Sequence, residues 1–295
     1  MATQSTRVRM MSYPVGERLF IGFQKVVPRR LLTRLIYRLT RIEQPWLKNL
    51  TIRAFVKAFA VDVSDAENAV PEDFKSFNDF FSRSLKAGAR TIDPAADAFV
   101  SPCDGTLSQF GTIVDGQIIQ AKGVNYSMAE LVNDPQIAEK FVGGRFATIY
   151  LAPYNYHRVH MPFDGSLIYE APAGGDLYSV NQTTARRVQN LFTINERRVM
   201  VFESEAGPYA LIMVGAMNVG SITTSWAGET RAGFGEAGPA PGLRDGPTLS
   251  KGELVGWFNM GSTVILLTPE NIDWLPALKT NAVIRMGESL GRAFL

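Results

Sequence analysis

The sequence predicts an α+β protein, with a mainly antiparallel β core preceded by an N-terminal set of amphipathic helices. Three observations carry this. From Phe99 onward, short apolar runs alternate with Gly, Pro and Asp, the punctuation of strands and turns. Before that, apolar residues between positions 18 and 59 recur at helical spacing. Charge divides along the same line: residues 1–60 carry 12 Lys/Arg against Glu17 and Glu43, a net of +10, so the rest holds −8 of the overall +2.

Residues 1–14 read as a disordered start. The first amphipathic segment presents Leu19, Phe20, Phe23, Val26 and Val27 and stops at Pro28. The second sets Leu31, Leu32, Leu35, Ile36 and Leu39 against Arg34, Arg38 and Arg41, spaced four and three apart. The third runs from Trp46 to Phe59 with Leu47, Leu50, Ile52, Phe55 and Val56. Basic faces opposite leucine and aromatic faces describe helices lying in a membrane interface, with Arg34, Arg38 and Arg41 as the docking residues. The alternative is a helical hairpin packed on the body with its arginines in water. Residues 1–60 are thus read as a basic helical docking region and 61–295 as a β-rich domain.

Residues 61–72 are acidic and loop-like. A helix is expected over 74–85, carrying Phe77, Phe80 and Phe81 against the core, and 94–97 is a connector. Strands are expected over 99–101, 106–113, 117–121, 146–151, 165–170, 199–203, 209–214, 220–226, 254–258 and 264–267. Ser127 followed three residues later by Glu130 is a capping box, opening a helix to about 141. A second helical stretch covers 183–191. Residues 227–246 are dense in Gly and Pro and read as a mobile loop, either a lid or a long surface loop.

Several classes fall away. One cysteine excludes an intrachain disulfide framework and fits a reducing compartment. With only two histidines, a Cys/His zinc site is not expected. No run of 18 apolar residues exists, and the N-terminus lacks an apolar signal core. No glycine loop for ATP or NAD is present. The basic leader points to an anionic partner surface, membrane or nucleic acid.

The chemistry-bearing residues fall in three stretches. Gly261-Ser262-Thr263 follows Phe258-Asn259-Met260 and precedes the apolar run 264–267, where a tight bend can present a hydroxyl. Both histidines, His157 and His160, lie in one aromatic segment from Tyr154 to Pro162. Asp104 sits in Ser101-Pro102-Cys103-Asp104-Gly105, after a hydrophobic run. Serine, histidine and aspartate are the parts of an activated hydroxyl nucleophile. Taken singly, each has a plainer reading: a hairpin turn, a structural histidine, a small buried thiol at Cys103. A serine hydrolase would use the same three residues, but no Gly-x-Ser-x-Gly elbow surrounds Ser262. A peripheral binding protein would need none of them.

Taken together, these stretches resemble the phosphatidylserine decarboxylase family. Ser101-Pro102-Cys103-Asp104-Gly105, Gln120-Ala121-Lys122-Gly123 with Tyr126-Ser127, Tyr156-His157-Arg158-Val159-His160-Met161-Pro162 and Met260-Gly261-Ser262-Thr263 stand in that family's order and spacing. The similarity runs from about residue 17 to the end. Met260 stands where a leucine is common in bacterial members.

The resemblance implies a self-cleaving proenzyme. Ser262 would attack the Gly261 carbonyl, giving chains 1–261 and 262–295, the second blocked by a pyruvoyl group made from Ser262. His160 would be the base of the cleavage and Asp104 the carboxylate that orients it. His157 would serve decarboxylation as proton donor or substrate ligand, and a turn is expected to bring both histidines to the site. The pyruvoyl would accept the electrons released as carbon dioxide leaves, so no metal or nucleotide cofactor is implied. The substrate would be phosphatidylserine on an anionic membrane, met as a peripheral protein on the cytoplasmic side of the inner membrane. The two cleaved chains would form a heterodimer, with a dimer of these as a family expectation and no nucleic-acid partner.

Overall fold

The computed structural model describes residues 15–121, 123–217, 221–230, 242–243 and 245–295. The expected disordered start at 1–14 lies outside them, as do Lys122 and, within the expected loop 227–246, residues 231–241 and 244. The described remainder of that loop is corrected by two short strands, Gly228–Thr230 and Gly242–Leu243. Three helices open the chain: α1 (Val15–Val26), α2 (Arg29–Leu39) and α3 (Pro45–Phe59). Prolines set two of their limits. Pro28 precedes α2, and Pro45 occupies the first turn of α3, where no backbone donor is required.

α1 and α2 turn polar residues inward and apolar residues outward, while α3 buries Ile52 and leaves Trp46 and Leu50 exposed. Gln24 and Thr33 are fully buried. Arg29 pairs with Asp176 at 2.8 Å, Arg41 with Glu229 at 2.7 Å, and Arg187 with Glu17. Leu19, Phe23, Val26, Leu31, Leu35, Leu39, Trp46 and Leu50 all stand exposed, Leu19 by 68%. The predicted arginine face is therefore divided: Arg34 and Arg38 lie at the surface, while Arg41 turns in to the body.

The shorter helices are α4 (Phe77–Phe81), α5 (Met128–Val132), α6 (Pro135–Glu139), α7 (Gln182–Arg187) and α8 (Leu191–Ile194). Each corrects a longer expectation. The helix expected over 74–85 is reduced to little more than one turn, capped by Ser76, and Arg158 takes the Ser82 carbonyl at 2.9 Å. Ser127 does cap a helix, through Glu130 N–H at 3.3 Å. Asn133 then enters the left-handed region (φ 59°), and Asp134 with Pro135 starts a second helix. The stretch over 183–191 divides likewise at left-handed Asn190.

The strands in chain order are β1 (Ala98–Val100), β2 (Gly105–Thr112), β3 (Gln117–Ala121), β4 (Val124–Ser127), β5 (Arg145–Leu151), β6 (Arg158–His160), β7 (Gly165–Ala173), β8 (Arg197–Glu203) and β9 (Tyr209–Gly215). There follow β10 (Ile222–Thr224), β11 (Gly228–Thr230), β12 (Gly242–Leu243), β13 (Thr248–Leu249), β14 (Leu254–Phe258), β15 (Ser262–Thr268), β16 (Ile272–Trp274), β17 (Val283–Ile284) and β18 (Ser289–Ala293). All the strand pairs are antiparallel.

The main sheet runs β12-β7-β8-β9-β15-β5-β2-β17, with β13 also on β7. A four-stranded sheet runs β11-β10-β14-β6, a three-stranded one β1-β18-β16, and β3 pairs with β4. In the centre of the main sheet, β9 and β15 are buried along their whole length. Covered on both faces, they read in sequence as continuous apolar runs with no alternation.

Two cores form. The larger fills the sheets. The smaller is aromatic, gathering Ile52, Phe74, Phe77, Phe80 and Phe81, with Phe55 and Met260 packed against it. Phe55 meets Phe77 edge-on at 5.1 Å, and Phe74 meets Phe80 at 5.5 Å. This cluster ties α3 to α4 across residue 60.

Candidate active site

The three chemistry-bearing stretches are the links by which the chain passes between sheets. β5 belongs to the main sheet and β6 to the four-stranded sheet, and 152–157 joins them. β14 belongs to the four-stranded sheet and β15 to the main sheet, and 259–261 joins those. The strands pair at both ends of the links, with Ser262 opposite Leu151 and Trp257 opposite Arg158. The links therefore run side by side, and Phe258 N–H donates to the His157 carbonyl at 3.1 Å. The third link, 101–104, carries the chain from β1 into β2, and the His160 N–H donates to the Pro102 carbonyl at 2.7 Å. At its end, Gly105 is needed for packing: a Cβ there would lie 2.6 Å from the Tyr150 carbonyl oxygen.

The 259–261 link is held at one end and bent at the other. Asn259 Nδ2 donates to Ser221 Oγ at 2.8 Å and Thr223 Oγ1 at 2.9 Å, and its Oδ1 accepts from Asn78 Nδ2 at 2.9 Å. Gly261 has φ +24°, a conformation that L side chains rarely adopt, although a Cβ there would meet nothing within 4 Å. Backbone conformation, not space, asks for glycine. Ser262 is 1% exposed, and its Oγ has no hydrogen-bond partner among the described residues. Thr263 Oγ1 is likewise buried and unpartnered.

The two histidines do not share a face. His160 is on β6, and His157 immediately precedes it in extended chain, so three residues of spacing send them opposite ways. The expectation that a turn brings both to one point is corrected on this ground. The turn lies earlier, at Pro153 and Tyr154. The His157 ring is fully buried, 4.0 Å from the Phe81 ring, with Nδ1 2.8 Å from the Asn155 carbonyl. His160 Nδ1 lies 2.9 Å from the Gly252 carbonyl and Nε2 2.9 Å from the Tyr156 hydroxyl.

These contacts assign tautomers. A carbonyl only accepts, so Nδ1 carries the proton in both rings and Nε2 keeps a lone pair. In His160 that lone pair accepts from Tyr156, whose proton is held firmly, burial pushing the phenol up to about 12. In His157 the lone pair has no partner among the described residues. Burial, with the charge of Arg83 second, pushes His157 down to about 3. Burial also lowers His160, against a smaller raising effect of the Gly252 hydrogen bond.

Asp104 lies next to these groups but does not hydrogen-bond to His160. Arg90 takes both carboxylate oxygens, at 2.6 to 3.1 Å, and the Met286 N–H donates to Oδ1 at 2.9 Å. The opposite end of Arg90 reaches Asp65 at 2.8 Å. Asp104 acts on His160 through its charge alone, which raises the ring's proton affinity. Cys103 beside it is a buried free thiol, pushed well up by burial.

Sequence reasoning missed the supporting groups: Arg90 on Asp104, Phe81 on His157, Tyr156 on His160 and Asn259 at the bend. Tyr156 and Asn259 stand inside the quoted stretches, but nothing in spacing signals their partners. Among the described residues, no group of three His, Cys, Asp or Glu side chains could hold a metal ion. No described helix is long and apolar enough to cross a membrane.

Comparison with known proteins identifies the family. A family model described as phosphatidylserine decarboxylase matches residues 77–292, and one described as PSD matches 19–60. A phosphatidylserine decarboxylase proenzyme of Nitrosococcus oceani is 45% identical over 275 residues, covering 92% of this chain and 90% of its own. The protein of the same name from Acinetobacter baylyi is 42% identical over 276 residues, covering 93% and 95%. That from Pseudomonas fluorescens is 44% identical over 285 residues, covering 93% and 97%. By these matches the chain is an enzyme. It belongs to the phosphatidylserine decarboxylase family.

Proposed function

We propose that the chain is made as a proenzyme, cuts itself between Gly261 and Ser262, and then converts phosphatidylserine to phosphatidylethanolamine and carbon dioxide. The observation that carries this is the Gly261-Ser262 step. A glycine at φ +24° presents its carbonyl next to a buried serine hydroxyl with no hydrogen-bond partner. A buried hydroxyl without a partner costs stability, and such costs gather where a group is kept free to react. The name proenzyme borne by the relatives supports a processing step.

The cleavage balances with groups of this chain. Ser262 Oγ adds to the Gly261 carbonyl carbon, the C–N bond breaks, and the amide becomes an ester with a free Ser262 amine. Loss of the Ser262 Cα proton then breaks the Oγ–Cβ bond, releasing Gly261 as a carboxylate and leaving dehydroalanine. Water enters and ammonia leaves, giving a pyruvoyl group at the head of 262–295. That group supplies a sink for the electrons left when carbon dioxide departs.

His160 takes the hydroxyl proton on Nε2, and for this the Tyr156 hydroxyl must turn away or relay the proton. Asp104 stabilises the resulting imidazolium by charge. His157, neutral at Nε2, serves the substrate as a hydrogen-bond acceptor in a dry site and not as a standing acid. The two products remain one folded body, because 262–295 supplies β15, which lies between β5 and β9 in the main sheet. This supports a heterodimer of the cleaved chains.

The substrate is a lipid, and α1 to α3 offer it a surface. Their outward leucines, with Phe23 and Trp46, enter the headgroup boundary, and exposed Arg34 and Arg38 meet anionic lipid. This reading takes the docking to be peripheral, on the cytoplasmic side of the inner membrane, and the single cysteine fits such a reducing compartment.

Denaturing mass spectrometry of the purified protein beside a Ser262→Ala control tests the reading. Two chains are expected, the smaller lighter by one ammonia than a peptide starting with Ser262, and the control stays whole. An intact wild-type chain overturns it.

A further inference from the structure

Arg83, just past α4, is 4% exposed, yet its Nε and Nη1 have no hydrogen-bond partner among the described residues. Its remaining contacts are weak. Nη2 reaches the Tyr154 carbonyl at 3.4 Å, and the guanidinium carbon lies 5.2 Å from the Phe80 ring centre. Other buried arginines are spent otherwise. Arg197 is 3% exposed and donates to the carbonyls of Leu131, Glu130 and Asn195. Arg198, equally buried, pairs with Glu170. Burying a guanidinium with donors unused is costly, so its place in the fold calls for an anion that completes it.

Arg83 lines a cavity of about 200 Å³. At about 30 Å³ per water, that is room for six or seven waters, the scale of a headgroup and too small for acyl chains. The walls tie the cavity to the site. Asp104 and Tyr156, the partner of His160 Nε2, both line it. The charge of Arg83 is felt by His157. Ala60 lines it too, directly after exposed Phe59 at the end of α3, so the cavity meets the apolar docking surface. Of its three carboxylates, Asp65 and Asp104 are taken by Arg90, and Asp62 is exposed and accepts from Ser64 N–H. Beside Arg83 and the paired Arg90, Arg285 adds a third cation to the wall.

We propose that Arg83 holds the phosphodiester of the lipid headgroup in this cavity, with Nε and Nη1 as its donors. This rests on the reading that the substrate is phosphatidylserine. Its headgroup carries two anions, and the chemistry chooses between them. The carboxylate must lose its charge as carbon dioxide leaves, so a cation on it would hold the ground state more tightly than the transition state. The phosphate keeps its charge throughout, and a planar guanidinium suits it.

The test compares processed wild type, Arg83→Lys and Arg83→Gln on short-chain phosphatidylserine in mixed micelles. Arg83→Gln is expected to raise KM at least tenfold with kcat within threefold, and Arg83→Lys to recover part of the loss. Glycerophosphoethanolamine, which has the phosphate and no carboxylate, is expected to compete in wild type and not in Arg83→Gln, while L-serine competes in neither. Unchanged KM and competition in Arg83→Gln would make Arg83 a packing residue. Competition by L-serine alone would move the site to the carboxylate. Competition by inorganic phosphate as strong as by glycerophosphoethanolamine would make it a free-phosphate site.

Should Arg83→Gln fail to process, thermal melting of the uncut Ser262→Ala chain reads binding directly. Glycerophosphoethanolamine raises its Tm, and adding Arg83→Gln abolishes the rise; an equal rise in both chains overturns the proposal. An uncut wild type would instead sink the functional reading, so the two failures are distinguishable.

Discussion

Replacing His157 with Gln should make the folded protein less sensitive to acid. The His157 ring is fully buried, and its pKa falls from an ordinary 6.5 to about 3. A depressed folded-state pKa means that the unfolded chain binds the proton first, so stability is present above pH 6.5 and drains as pH falls toward 3. At pH 7.5 the ring is neutral in both states. At pH 5.5 it is about nine-tenths protonated when unfolded and still neutral when folded. The linkage relation gives about 1.3 kcal/mol lost between these pH values from this one group. Urea unfolding of the uncut Ser262→Ala chain, with and without His157→Gln, measures it. His160, also lowered by burial, and the carboxylates contribute to both chains, so the difference isolates His157. The expected result is a pH loss about 1.3 kcal/mol smaller in His157→Gln. Equal losses would mean that His157 is hydrated or already charged in the folded state, and its assignment as a neutral acceptor would fall.

Gly261→Ala places a side chain at φ +24°, a cost of about 1–2 kcal/mol. Self-cleavage followed on denaturing gels should slow by about tenfold. Arg90→Met leaves Asp104 buried and unpaired, and should cost about 3–5 kcal/mol in urea unfolding. Loss of the exposed Arg53–Glu72 pair should cost under about 1 kcal/mol. Leu19, Leu31 and Leu35, each more than half exposed, lose about 3–5 kcal/mol of apolar transfer together when changed to Asp. Flotation with anionic liposomes should fall more than a hundredfold while the cut proceeds. Neutralising Arg34 and Arg38 should give a smaller, salt-sensitive loss, whereas Arg41→Gln should act on the Glu229 contact.

The helices of the leader were legible because a 3.6-residue pattern bounded by Pro28 and Pro45 leaves little choice. Which face meets water was not. An amphipathic pattern says that two faces differ, and only the carboxylates of Asp176 and Glu229, far off in sequence, show that polar residues turn inward. The long strands were read within two or three residues, with 117–121 and 254–258 as predicted, because turn residues flank them. Of the two- and three-residue strands, β1 and β10 fall on the predicted 99–101 and 220–226, but others, such as β6 and β17, escaped, since so short a run has no period. Helix breaks at Asn133 and Asn190 escaped because left-handed asparagine looks like any polar residue on a helix surface. In the candidate site, Ser262, Asp104 and the histidines were singled out from motifs. The bond that orients His160 was not, since its acceptor is a backbone carbonyl at Gly252, and no side chain advertises it.

The position of the Gly261–Ser262 bond follows from the sheets. From Ser262 onward every residue of β15 through Leu267 is paired with both β5 and β9, so a cut within it would divide the most buried strand of the sheet. One residue earlier, the chain belongs to no strand. Upstream, the end that the proposed cut would leave is secured by Asn259, whose side chain holds Ser221, Thr223 and Asn78. A break there severs a link whose two ends are already fixed independently, and the ladder on each side survives. The bend at Gly261 arises because the chain must leave one sheet and enter another within three residues. The same crossing therefore requires glycine at the bend, sets the serine hydroxyl beside it, and would make the proposed break harmless to the fold.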